Sequence, residues 1–355
     1  MMMKQRYIIA AAAFAVVCLI VGLIAAHHSK PTRTADGEPV TSAAKPVSAD
    51  GEGSAELAAT TIYAHNLELR KGPDFRIYVR WLRGEMRPTR GRAVPSLDDE
   101  ESFLFHIDRG LVHANLGDID TYFNAKIAPR SPFKNAKLRG EGSQIKLTGT
   151  LHKLLVPLPV EILGTLAPAP GERVHLQVAK INVLKVPMKG LLSGFKVDIG
   201  DIVGKEPVDG VEVQGNDIYL DTMKLLPPPH VRGQITNIAI KAPDIVVTYG
   251  STTPEDETEL AKWHNFLRLR GGSVAFGKLT MQQADLTLID ASDDAWFDLD
   301  LANYQQQVVK GYTRMTPARG VEIFMPDVGK GMPPGAVSLD TLRDRSKPLP
   351  ATPAK

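Results

Sequence analysis

Arg173-Val174-His175-Leu176-Gln177-Val178-Ala179-Lys180-Ile181-Asn182-Val183 reads as a strictly alternating run. In an extended chain successive side chains point to opposite faces, so this pattern predicts a strand with one dry and one wet face. Its neighbours repeat the signal. Gln144-Ile145-Lys146-Leu147-Thr148-Gly149-Thr150-Leu151 and Val160-Glu161-Ile162-Leu163-Gly164-Thr165-Leu166 precede it, and Pro168 to Gly171 form the turn between. Residues 133–203 therefore read as a meander, opened by Ala136-Lys137-Leu138-Arg139-Gly140.

On either side of the meander the period changes. Leu116, Ile119, Phe123 and Ile127 recur every three or four residues, and Leu191, Leu192, Phe195, Ile199 and Ile202 do the same. These spacings predict amphipathic helices over 116–127 and 188–202. Further strands are expected at 75–82, 102–107 and 111–114 before the first helix, with a loop at 89–99. After the second helix come Val211-Glu212-Val213-Gln214 and Asn216-Asp217-Ile218-Tyr219-Leu220-Asp221, a hairpin across Gly215, and then strands at 233–240 and 244–249. Acidic Pro254-Glu255-Asp256-Glu257-Thr258-Glu259 marks a boundary. Beyond it, 267–281 and 284–290 read as paired strands and 299–311 as a helix.

The amino terminus fixes the compartment. Lys4 and Arg6 precede an apolar run from Tyr7 to Ala26, which as a helix spans about 30 Å, the thickness of a bilayer core. A cleaved signal has a shorter apolar region and a small residue at the −3 position, where this chain has Ile24, so an uncleaved anchor is expected. The positive-inside rule leaves Lys4 and Arg6 in the cytoplasm and places the chain after His27 on the far side, which in a bacterial inner membrane is the periplasm. Residues 27–58 lack apolar periodicity and read as a disordered linker. The expected division is a tip at 1–6, an anchor at 7–26, the linker at 27–58, a domain at 59–250, an acidic linker at 251–260, an extension at 261–327 and a tail at 328–355.

Composition narrows the chemistry. Cys18 is the only cysteine and lies in the apolar run, so the exported part has no disulfide, zinc-thiolate site or cysteine nucleophile. A net charge of +2 argues against nucleic acid as partner. No His-Glu-x-x-His, Gly-x-Ser-x-Gly, Walker loop or dinucleotide fingerprint occurs. Ser131-Pro132-Phe133-Lys134 matches Ser-x-x-Lys only formally, since its companion motifs are missing. Asp290-Ala291-Ser292-Asp293-Asp294 clusters carboxylates as a hard cation requires but lacks the further ligand spacing, so it reads as a solvated turn. The expectation is a non-enzymatic protein with no cofactor and no metal.

Two features suggest binding instead. Between Arg70 and Arg92 the basic residues, among them Arg76, Arg80, Arg83 and Arg87, are accompanied by only Asp74 and Glu85, with Tyr78 and Trp81 interleaved. The run reads either as a solvated strand or as a face for anionic headgroups, with Arg76, Arg80, Trp81, Arg83 and Arg87 as contacts. Second, 154–160, 183–195 and 225–229 are apolar or proline-rich where connections are normally polar. They read either as loops sealing a curved sheet or as the walls of an acyl-sized groove.

In its order of elements, from the strand pair and first helix through the meander and second helix to Gly215-Asn216-Asp217-Ile218-Tyr219-Leu220-Asp221 and Leu225-Leu226-Pro227-Pro228-Pro229, the chain resembles the LmeA-like bacterial phospholipid-binding proteins and the tubular lipid-binding (TULIP) superfamily over 102–250. The resemblance implies an α+β fold, a highly curved antiparallel sheet wrapped around one or two amphipathic helices, with lipid in the groove. A phospholipid or other acylated ligand would then meet Leu147, Leu151, Leu163, Leu176, Val178, Ile181, Leu192, Phe195, Leu225 and Leu226. The alternative is a cell-envelope assembly module that docks a protein partner through its curved sheet, with the same apolar positions as packed core and the 271–290 hairpin as docking edge.

Overall fold

The structure, a computed structural model, describes residues 59–70, 76–89, 94–122, 124–125, 133–153, 156–183, 210–225, 229–251, 263–277, 279–292 and 294–327. The expected membrane anchor, the linker, the helix over 188–202 and the tail from 328 lie outside the described residues. Among the described residues no helix is long and apolar enough to cross a membrane.

The chain opens with β1 (Thr60–Arg70), β2 (Arg76–Pro88) and β3 (Phe103–Asn115), followed by the helix α1 (Leu116–Tyr122). The meander supplies β4 (Phe133–Glu141), β5 (Gln144–Lys153), β6 (Val156–Ala169) and β7 (Arg173–Val183). After it come β8 (Val211–Gln214), β9 (Asp217–Asp221) and the short helix α2 (Thr222–Leu225). Then β10 (His230–Arg232), β11 (Ile235–Lys241) and β12 (Asp244–Tyr249) return to β3. The last part holds β13 (Phe266–Phe276), β14 (Leu279–Asp290), β15 (Phe297–Asp300), α3 (Tyr304–Lys310), β16 (Tyr312–Met315) and β17 (Val321–Met325).

These strands form two open sheets. The small sheet has six strands in the order β4-β5-β6-β7-β9-β8. The large one has eleven, in the order β11-β12-β3-β2-β1-β13-β14-β17-β16, with β10 beside β3 and β15 beside β1. The expected α+β arrangement of a highly curved sheet wrapped around helices is thus overturned: the described chain is predominantly strand, and its sheets are open, enclosing no helix among the described residues. The reason lies in what covers the dry faces. Ile235 and Ile238 of β11 and Ile245 of β12 share one apolar cluster with Leu147, Ile162, Leu176 and Leu220 of the small sheet, so sheet packs on sheet. Among the described residues, α1 contributes Leu116 and Ile119 to that cluster.

Three local readings also change. The apolar stretch expected as a loop over 154–160 becomes strand from Val156 onward, with Pro157 opposite His152 and Pro159 opposite Thr150. Among the described residues β6 pairs there with β5 alone, since β7 joins it from Val160, and a strand paired on one side tolerates proline's missing N–H. The helix expected over 299–311 is shorter: Leu299 pairs in parallel with Leu69, Asp300 turns the chain by accepting bonds from Ala302 N and Asn303 Nδ2, and α3 starts at Tyr304. The strictly alternating run is not strict in space. Leu163 faces Lys180 but Gly164 faces Val178, a bulge that leaves Ala179 and Lys180 both exposed and turns Ile181, instead of Lys180, toward the dry face.

The second core belongs to the large sheet. Ile62, Leu67, Val79, Met86, Phe103, Leu269, Leu286, Leu288, Phe297 and Ile323 pack on one of its faces, with Tyr304 of α3 against them. Where β13 and β14 leave this face, Gly271 (φ 72), Gly272 (φ 54) and Gln283 (φ 51) take left-handed conformations on both strands of the hairpin. Beyond that corner, Val274 and Phe276 return to the core. Glycine serves here because a Cβ disfavours that region.

Candidate functional site

The apolar inner face of the small sheet is the first candidate, and the expected groove residues divide on it. Leu147, Leu151, Leu176 and Val178 are packed core, 2%, 3%, 1% and 5% exposed. Ile181 is half-buried beside Val183 at the end of β7 that pairs with Ile162 and Val160, whereas half-buried Val211 lies toward the other end, across Leu220 from Val174. Leu163 is on the opposite face, across from Lys146 and Lys180. Leu225 ends α2, while Leu192, Phe195 and Leu226 lie outside the described residues. The face itself is chemically uniform. Among the described residues, none of the buried polar side chains belongs to a strand of the small sheet.

A seam of polar contacts closes one side of this core. Asp120 of α1 accepts a bond from Leu138 N at 2.7 Å, and Asn124 bonds the backbone of Ala136 through both N–H and C=O. Burial pushes the Asp120 carboxyl up to about 6, against the opposing pull of that backbone bond and of Arg139 and Lys137.

The second candidate is the basic strand. On β2 the side chains of Arg76, Tyr78 and Arg83 point away from the large core, and a register shift between Val79 and Trp81 marks a bulge at Arg80. Carboxylates from outside the run meet this face: Arg76 bridges Asp118 at 2.5 Å and Glu68 at 3.5 Å, while Arg87 bridges the run's own Glu85 at 2.7 Å. The Arg83 guanidinium lies over Tyr63, 5.6 Å from the ring centre, while exposed Arg80 lies 5.8 Å over Trp296. Trp81 is half-buried opposite His65. The run is therefore far less uncompensated than its own sequence suggests.

Register brings together a row that sequence reasoning missed. His113 on β3 is opposite Tyr78 on β2, Tyr78 opposite Glu68 on β1, and Glu68 opposite Asp298 on β15. Arg70 bridges Asp298 at 2.5 Å, and His113 Nδ1 lies 3.2 Å from Asp244 Oδ2. Burial raises the Glu68 carboxyl above its ordinary range, with Asp298 beside it adding to the shift, and burial likewise raises Asp298. The Tyr78 hydroxyl is pushed up to about 12, first by burial and then by Glu68 and Asp118. The row is an ion-pair lattice in which each carboxylate already has an arginine, histidine or tyrosine within reach. No sequence motif could have announced it, since its members are joined only by strand register.

The carboxylate run at 290–294 is not a solvated turn at its start. Asp290 is fully buried: Oδ1 accepts from Ser292 N at 2.6 Å and Oδ2 from Asn265 Nδ2 at 2.8 Å. The network continues from Asn265 Oδ1 to Asn66 Nδ2 and from Ser292 Oγ to Asp327 N. Among the described residues, no group of three or more His, Cys, Asp or Glu is arranged to hold a metal ion. Compared with known protein families, curated proteins and solved structures, the chain matches none.

Proposed function

We propose that this chain is a non-enzymatic protein, anchored in the bacterial inner membrane, that binds a phospholipid or another acylated molecule on the apolar face of the small sheet. The observation that carries this reading is the absence of buried polar side chains from that sheet among the described residues. An acyl chain offers no hydrogen bonds, so a compartment that receives one works best when no donor or acceptor loses a partner. Each methylene transferred from water contributes about 0.8 kcal/mol, and no cofactor is needed. Because Leu147, Leu151, Leu176 and Val178 already touch protein on all sides, the chain enters by displacing contacts at the rim formed by Ile181 and Val183.

The test uses the full-length protein purified from its own membrane. Native mass spectrometry is expected to show co-purified phospholipid, and a fluorescent phospholipid is expected to transfer into the protein. Ile181→Asn should weaken uptake roughly tenfold, the equivalent of about two buried methylenes. A lipid-free spectrum with no uptake by the parent protein overturns the proposal. The tight packing of those four leucine and valine positions favours a second reading, an envelope assembly module. It would be supported by a stoichiometric crosslinked protein partner from a lipid-free preparation.

A further inference from the structure

Among the described residues six strands have one unpaired side: β4, β8, β11 and β16 end the two strand orders, while β10 and β15 pair only with β3 and β1. β10 ends on Arg232 and β15 carries Asp298 and Asp300, so both bear charge, and three of the four ends are guarded as well. The end strand β11 lies against β6 and β4 of the small sheet. On β4 the side chains of Lys134, Lys137, Arg139 and Glu141 interrupt any apolar run, and on β8 exposed Glu212 and Gln214 flank Val213. Charged and polar side chains are a usual protection of an open edge. The 271–290 hairpin is not an end at all, because β13 lies between β1 and β14 while β17 pairs with β14. The fourth end is β16. Its Tyr312-Thr313-Arg314-Met315 contains no proline, lysine or carboxylate, and its one charge is held by Glu322 through Nε at 2.9 Å. Of the five large apolar side chains exposed among the described residues, three fall between the end of α3 and the end of β16: Val309 (85%), Tyr312 (42%) and Met315 (63%).

We propose that β16 is a homotypic docking edge, on which β16 of a second copy pairs antiparallel about a twofold axis perpendicular to the sheet. Such an axis keeps the faces of the sheet, so residues placed opposite each other must point to the same side. Tyr312 and Arg314 share the face of Phe324 and Glu322, whereas Thr313 and Met315 share the other. Only registers centred on a residue satisfy this condition. Centring on Arg314 sets two guanidinium groups against each other, and centring on Tyr312 sets Lys310 against Arg314. Centring on Thr313 places Tyr312 of each copy opposite Arg314 of the other, a cation beside an aromatic ring twice over. The ring is already arranged for that. Tyr312 stacks on Phe324 with centroids 4.5 Å apart, which leaves its second side to the neighbour, and Arg314 lies over Phe324 at 5.5 Å. Centring on Met315 sets Thr313 against Pro317, which has no N–H to give. Charge and proline thus leave one register, and that register is self-complementary.

A four-residue strand buries far less than the roughly 1,200 Å² of a stable interface, so this contact needs a high local concentration of copies. This inference does not depend on lipid binding by the small sheet. The test uses the full chain with Cys18→Ser, reconstituted into phosphatidylcholine vesicles, and single cysteines on β16. Opposed Cα atoms at the twofold lie about 4.5–5.5 Å apart, within disulfide reach, so mild oxidation of Thr313→Cys should give roughly tenfold more covalent dimer than Met315→Cys. Adding Tyr312→Lys to Thr313→Cys sets like charges against each other and should abolish the dimer. Thr313 is exposed, so the cysteine leaves the core intact, and unchanged tryptophan fluorescence verifies this. Equal yields from positions 313 and 315, no dimer from Thr313→Cys, or a disulfide to a different protein would each overturn the proposal.

Discussion

The two cores of this molecule are built from opposite materials. Under the small sheet, Leu147, Ile162, Leu176, Ile218 and Leu220 meet the isoleucines of β11 and β12 with no buried polar side chain on any of the six strands, among the described residues. In and around the large sheet, Asn66, Asn265, Asp290, Ser292, Asp300, Gln307 and Asp327 are buried and joined by hydrogen bonds. Apolar packing is non-directional, so the first core can exchange one set of contacts for another at little cost. Directional bonds in a low-dielectric interior permit one arrangement, so the second core is fixed. The difference assigns adaptability to one end of the molecule and rigidity to the other.

Substitutions can break that contrast. The largest effect is expected from Asn265→Ala, which strips Asp290 Oδ2 and Asn66 Nδ2 of a partner at once and should cost about 3–5 kcal/mol. Denaturant midpoints measure it through Trp81, Trp263 and Trp296, none of which lies in the small sheet. Next comes Leu176→Ala in the apolar core, expected to cost about 2–4 kcal/mol through transfer and cavity terms. If the small core accepts acyl chains, added phospholipid should restore part of that loss, whereas no lipid should rescue Asn265→Ala. Equal rescue of both, or of neither, would erase the proposed division. Leu147→Met, which conserves volume, should cost less than about 1.5 kcal/mol.

Two further changes sharpen the joint between the regions. With its folded pKa at about 6, above the ordinary 3.8, the Asp120 carboxyl binds its proton in the folded state while the unfolded chain has already released it. Stability therefore rises as pH falls from about 6 toward 3.8. Asp120→Asn keeps an acceptor for Leu138 N and should flatten that part of the stability profile, measured by denaturation at stepped pH. The smallest effect belongs to Arg76→Gln. Its bridge to Asp118 is partly solvated, so the loss should stay within about 1 kcal/mol and shrink further in salt.

Much of the small sheet was legible because its strands follow one another and alternate with period two. Even its bulge is written in the chain. Val174, Leu176 and Val178 keep one phase and Ile181 and Val183 the other, but the small Ala179 passes for an apolar member and hides the slip. The large sheet was less legible. Tyr63 meets Arg268 and Leu69 meets Leu299 only through pairings that no local period encodes. The same holds for the row of His113, Tyr78, Glu68 and Asp298, whose members look like ordinary wet-face residues one strand at a time. The helix expected over 299–311 failed at its start because Leu299 answers to β1 and not to its own neighbours. The groove list failed at Leu163 for a similar reason: apolar type was read without strand parity.

The place of β1 in the large sheet has a consequence in time. One of its edges is filled by β2 from the adjoining sequence, but the other is shared by β13 and β15, which begin at Phe266 and Phe297. A ribosome makes the chain from its amino end, so that second edge stays open throughout synthesis of everything between. Meanwhile the small sheet, built from residues 133–221, has all its pairing strands in hand, and the β11 and β12 that cover its dry face follow by residue 249. The adaptable half of the molecule can therefore close early, and the rigid half is sealed only when nearly the last strand arrives.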